Sequence, residues 1–175
     1  MNNWYMLTLV GEDSPGIVAK VTTALFNKGL ALGETSMIRL GGNFTIMMMV
    51  NSPEDVSSED IDQVLGPVID SLDLCMHLDP IEGHLHKHVV PNITVRVNGA
   101  DKAGIVSSVT NALSETGFNI LDLTSDVAGK DDNPVYIMMI EGYSDKSYEE
   151  LQQAVDKAVM PDVDVTVSPV EMMVG

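Results

Sequence analysis

The sequence has 175 residues, 45% of them hydrophobic, and carries 26 acidic against 9 basic side chains for a formal net charge of −17. That length allows one domain or two small ones, because units of roughly 70 to 100 residues still bury enough surface to fold. The charge argues against direct binding of DNA or RNA, whose phosphates it would repel over most approach directions, so any role in gene regulation would run through contact with another protein.

The chain opens MNNWYMLTLVGEDSPG, without the basic region of a secretory signal, and has no apolar run near the ~20 residues a membrane helix needs. A cytoplasmic protein with no membrane partner is expected. Leu7 and Leu9 alternate with other residues as in a strand, and a turn then follows at Gly11. Asp13 or Ser14 can cap the helix that begins there, Pro15 suits its first position, and Ile17, Val18, Val21, Ala24 and Leu25 share one face. Gly29 ends it, being free to take positive φ. Strands are predicted over 32–40 and 44–50 around a Gly41-Gly42 turn, then a helix over 58–72 and a strand over 74–78.

The decisive feature is a repeat. GEDSPGIVAKVTTALFNKGLAL from Gly11 aligns without a gap to GADKAGIVSSVTNALSETGFNI from Gly99, an offset of 88 residues. Gly11, Asp13, Gly16, Ile17 and Val18 meet Gly99, Asp101, Gly104, Ile105 and Val106, and the match continues to Gly29 and Gly117. The second copy reads as strand 93–97, helix 104–115, strands 118–127 and 135–141, helix 147–159 and strand 163–167. The expected organisation is a first module over 1–80, a linker over 81–91 and a second module over 92–175. Each module is βαββαβ, an α+β ferredoxin-like arrangement with an antiparallel sheet and both helices on one face.

Such a sheet needs apolar side chains on the helix-covered face alone. Here Phe44, Ile46, Met48 and Val50 are interleaved with Met47 and Met49, and Tyr136 to Ile140 is apolar on both faces. Covering of the second face, by a homodimer, is expected. A methionine copper site is the sharper alternative, and adaptable core filling is the commoner use of Met.

A strand that turns through glycines into a helix presents free N–H groups at the positive end of the helix dipole. A carboxylate could bind from about Ser14 to Ile17, with the Asp13 side chain taking the ammonium of the same amino acid. Alternatively Asp13 and Asp101 cap their own helices, and Gly16 and Gly104 allow close packing. Physical reasoning leaves the two readings equal.

The pattern G-x-D-x-P-G-I-V, followed by a helix, G-L-A-L or G-F-N-I, and a strand pair, resembles the ACT domain of amino-acid-regulated proteins. Across both halves the chain is similar to the tandem ACT proteins of the glycine cleavage system transcriptional repressor family. That resemblance implies a sensor of a small effector of the glycine or serine class, bound where the first turn of one module meets the second strand of its neighbour. Carried onto this sequence, it gives one composite site, Gly11, Asp13, Ser14, Pro15, Gly16 and Ile17 with Asn119. It also gives a degraded one, Gly99 to Ile105 with Asp101 and Gly104, where Ala103 replaces proline and Ala31 replaces the amide. Related serine sensors often carry histidine near the position of Gly11.

His84, His86 and His88 alternate in GHLHKH, so an extended chain would bring three imidazoles to one side as a metal ligand set, although solvated linker histidines are the commoner case. His77 is expected at the surface or in packing. Cys75 falls in a strand, where burial is the default for a thiol. No Walker loop, nucleophile elbow or Cys-His pair is present, and the first turn lacks the arginine that an acylphosphatase-type enzyme would use to grip phosphate. The expectation is a regulator that is no enzyme, holds no cofactor and acts on a partner protein. The alternative is an assembly module without a small ligand.

Overall fold

The computed structural model describes residues 3–82, 89–100, 104–130 and 133–170. The chain divides into two compact units, Met1–His86 and Lys87–Gly175. The first runs β1 (Asn3–Glu12), α1 (Ile17–Asn27), β2 (Ala31–Leu40), β3 (Asn43–Ser52), α2 (Ser58–Ser71) and β4 (Cys75–Ile81). The second runs β5 (Ile93–Ala100), α3 (Ile105–Glu115), β6 (Asn119–Lys130), β7 (Asn133–Tyr143), α4 (Tyr148–Ala158) and β8 (Val163–Pro169). Both are βαββαβ units with four antiparallel strands, ordered β2-β3-β1-β4 and β6-β7-β5-β8.

Alternation explains the first core. Tyr5, Leu7 and Leu9 of β1 and Phe44, Ile46, Met48 and Val50 of β3 point to one face and are buried beneath Ile17, Val21 and Leu25 of α1 and Ile61, Leu65 and Ile69 of α2. Helical spacing places each of those triads on a single stripe, and burying a full aliphatic side chain contributes roughly 1.5–3 kcal/mol. The second core repeats the plan with Val95, Val97, Met138 and Ile140 under Ile105, Val109, Leu113, Leu151 and Val155.

The turns are set by a few residues. After α1, Gly29 takes φ 81°, its N–H bonds to the Phe26 carbonyl, and the Leu30 N–H bonds to the Leu25 carbonyl. This is the Schellman arrangement, and it recurs after α3 at Gly117, Ser114, Phe118 and Leu113. Gly41 and Gly42, with φ 58° and 86°, close the β2–β3 hairpin as only paired positive-φ residues readily do.

Three sequence expectations need correction here. Pro15 is not the first helical residue: α1 starts at Ile17, and Pro15 lies in the turn before Gly16. Neither Asp13 nor Ser14 caps α1, because the N-cap is Gly16 in the left-handed conformation, which aims the preceding chain away from the first turn. Cys75 is exposed. It pairs with Val10 across the sheet on the face opposite the helices, and β4 is an edge strand. On that same face Met47 is 45% exposed. Among the described residues no helix is long and apolar enough to cross a membrane.

Candidate functional site

The four helices begin in two different ways. Ser57 caps α2 through a capping box: its hydroxyl accepts from the Asp60 N–H at 3.2 Å, and the Asp60 carboxylate accepts from the Ser57 N–H at 2.9 Å. Ser147 and Glu150 do the same for α4. These bonds hold both carboxyls below their usual range, Asp60 chiefly through the Ser57 side chain and Glu150 chiefly through the Ser147 backbone.

Helices α1 and α3 have no such device. Their N-caps are Gly16, at φ 92°, and Gly104, at φ 96°, with no side-chain cap and no acidic residue in the first turn. The first intrahelical bond of α1 runs from the Lys20 N–H to the Gly16 carbonyl, so Ile17, Val18 and Ala19 offer N–H groups without an intrahelical acceptor. The dipole makes this end attractive to an anion.

Those groups border an open depression of ≈ 450 Å³ lined by Asp13, Ser14, Gly16, Ile17, Val18, Ala19, Met37 and Phe44. The sequence-predicted residues Asp13, Ser14, Gly16 and Ile17 are thus brought together. The Asp13 N–H bonds to the Gly42 carbonyl at 3.0 Å, which ties the turn to the β2–β3 hairpin. Its carboxylate is held by Arg39, whose Nε donates to Oδ2 at 2.7 Å. Gly11 lies beneath: a Cβ there would run into the tip of the Leu74 side chain at the α2–β4 corner, which would have to swing aside.

Sequence reasoning missed Arg39 and Met37. Strand register brings them there: Arg39 lies across from Phe44, and Phe44 across from Gly11. Ala31, by contrast, does not join its own turn. It pairs with Asn51, seven residues along β3 from Phe44, roughly 23 Å at strand spacing, and lines a separate depression of ≈ 590 Å³ with Thr22, Thr23, Phe26 and Leu32. Asn119 stands in the same relation to the second turn, pairing with Tyr143 while Gly99 pairs with Tyr136. The start of a second strand therefore cannot complete the turn of its own unit. Asp101, His84, His86 and His88 lie outside the described residues. Among the described ones no cluster of three or more His, Cys, Asp or Glu side chains is arranged to hold a metal. His77 is exposed on β4.

Two family models for the ACT domain match the sequence, one over residues 5–79 and the other over 93–159. The chain belongs to the ACT-domain family. ACT modules are regulatory units that bind small amino-acid effectors. Solved structures that resemble this tandem ACT chain include a protein of unknown function from Galdieria sulphuraria, 21% identical, covering 98% of this chain and 100% of that one at a TM-score of 0.77. A second is assigned as a glycine cleavage system transcriptional repressor and is 18% identical, covering 98% of this chain and 99% of that one at a TM-score of 0.69. Identities this low establish the shared tandem ACT fold. The search of curated proteins finds no match.

Proposed function

We propose that the chain is a regulatory sensor, with no catalytic activity of its own, that binds a small amino acid of the glycine or serine class and thereby modulates a partner protein. The carrying observation is that α1 and α3 start at glycine N-caps, Gly16 and Gly104, which have no capping side chain, while α2 and α4 of the same chain carry complete capping boxes. Bare amides beside an acidic side chain match a zwitterion: the carboxylate accepts from Ile17, Val18 and Ala19, and the ammonium meets Asp13.

The site extends from Gly11 to Ile17, including Pro15, and is completed by Asn119 where the second strand of a neighbouring module approaches, within a chain or across a homodimer. The turn at Gly99 to Ile105, with Asp101 and with Ala31 in place of the amide, is the weaker copy. A role in transcriptional control of glycine metabolism, exerted in the cytoplasm through protein contact, is supported by the tandem layout shared with the assigned repressor and by the −17 charge.

A second reading, an assembly module without a small ligand, is favoured by one observation. Every residue of β2 is exposed, as is β6 from Asn119 to Ala128, so both sheets end in an unprotected edge. A thermal-shift screen over the twenty amino acids separates the two. A ligand that binds only the folded state at 100 times its Kd adds about 2.7 kcal/mol, so glycine or serine should raise the Tm, while a flat response to all twenty leaves the assembly reading.

A further inference from the structure

The first turn already holds a cation. Arg39 Nε donates to Asp13 Oδ2 at 2.7 Å, in the position the proposed site gives to the ammonium of an amino acid. The two partners differ in setting. The Asp13 side chain is 24% exposed and borders the depression, whereas Arg39 is 65% exposed and does not line it. Arg39 is thus aimed at the carboxylate and stands outside the space beside the Ile17, Val18 and Ala19 amides.

The second unit supplies an internal comparison. Arg39 lies across from Phe44, which lies across from Gly11; Val127 lies across from Tyr136, which lies across from Gly99. Valine therefore takes the arginine's register position beside the second turn, and an aliphatic side chain cannot compete for a carboxylate. That register position supplies a cation in the first unit and an aliphatic side chain in the second.

We infer that Arg39 is a built-in competitor for the ammonium subsite, lowering the affinity of the first turn so that it responds to a higher concentration of its effector. This rests on the sensor reading above and adds the element that sets its threshold. No covalent step is involved. Binding exchanges one cation on Asp13 for another, and the guanidinium moves into solvent, which its exposure on an edge strand permits. A half-exposed ion pair is worth at most about 1 kcal/mol, so its removal should tighten binding by roughly two- to fivefold.

The test is calorimetric titration of glycine and of L-serine into the full chain, its Arg39→Gln variant and its Arg96→Gln variant. Arg96 is exposed on β5 and its loss changes net charge by the same amount, which controls for the general field. The expected result is tighter binding to Arg39→Gln alone. Unchanged or weaker binding by Arg39→Gln, with the wild type still binding, overturns the competitor role and leaves the sensor reading intact. Tightening of equal size in Arg96→Gln also overturns it, by assigning the effect to net charge. No binding of either amino acid to the wild type or to Arg39→Gln overturns the sensor reading itself.

Discussion

At the scale of single residues, the proposed site is built as much from missing side chains as from present ones. Gly16 supplies a left-handed N-cap without a capping oxygen, and Gly11 makes room for Leu74. The same demand recurs at Gly142 in β7, where a Cβ would strike the Asn119 carbonyl and the Phe118 ring. A flexible side-chain tip can swing aside and a backbone carbonyl cannot. Gly142→Ala should therefore cost more than Gly11→Ala, on the order of 1–3 kcal/mol, read as a lower urea midpoint. Equal costs would show that the strand start at Asn119 is not held in place by this contact. Asp13 was legible in the sequence as the acid beside the turn; its partner was not, because Arg39 reaches it only through the pairing of three strands.

At the scale of elements, the helix starts are of two kinds, capping boxes and left-handed glycines. The boxes at Ser57–Asp60 and Ser147–Glu150 satisfy their own amides, and both carboxyls titrate below their ordinary values of 3.8 and 4.5. A lowered carboxyl pKa contributes stability that is present above the ordinary value and lost as pH falls through the lowered one. Acid should therefore loosen the first turns of α2 and α4 below about pH 4. Carboxyl NMR titration should place the Asp60 midpoint below its ordinary value in the wild type and return it upward in Ser57→Ala. An unmoved midpoint would contradict the capping box. The order βαββαβ was readable because apolar period switches cleanly between two and 3.6, and because glycines punctuate both copies alike. The start of α1 was misread because Asp13-Ser14-Pro15 is an ordinary capping sequence, and only the φ of Gly16 decides that the chain turns away first. Cys75 was misread because a strand alone does not say which face it shows or whether it lies at an edge.

At the scale of the whole molecule, duplication followed by divergence is the main theme. Both units keep the left-handed glycine N-cap and the Schellman ending, so the repeat preserved backbone geometry at both ends of its first helix. Side chains diverged around it. Arg39 stands where the other unit has Val127, and Ala31 stands where the other has Asn119. Under the proposed sensor reading, which needs the turn of one module and the second strand of another, the first turn with Asn119 is the favourable combination. Within each unit the second strand starts seven residues of sheet away from the turn, and β2 and residues Asn119 to Ala128 of β6 are exposed edges. The most direct check of this account is the stoichiometry of glycine or serine binding, measured by titration of the full chain and of its Asn119→Ala variant. One ligand per chain, with affinity falling about tenfold or more when the amide is removed, is the predicted result. Two equivalent ligands per chain, or an Asn119→Ala variant that binds as tightly as the wild type, would contradict it.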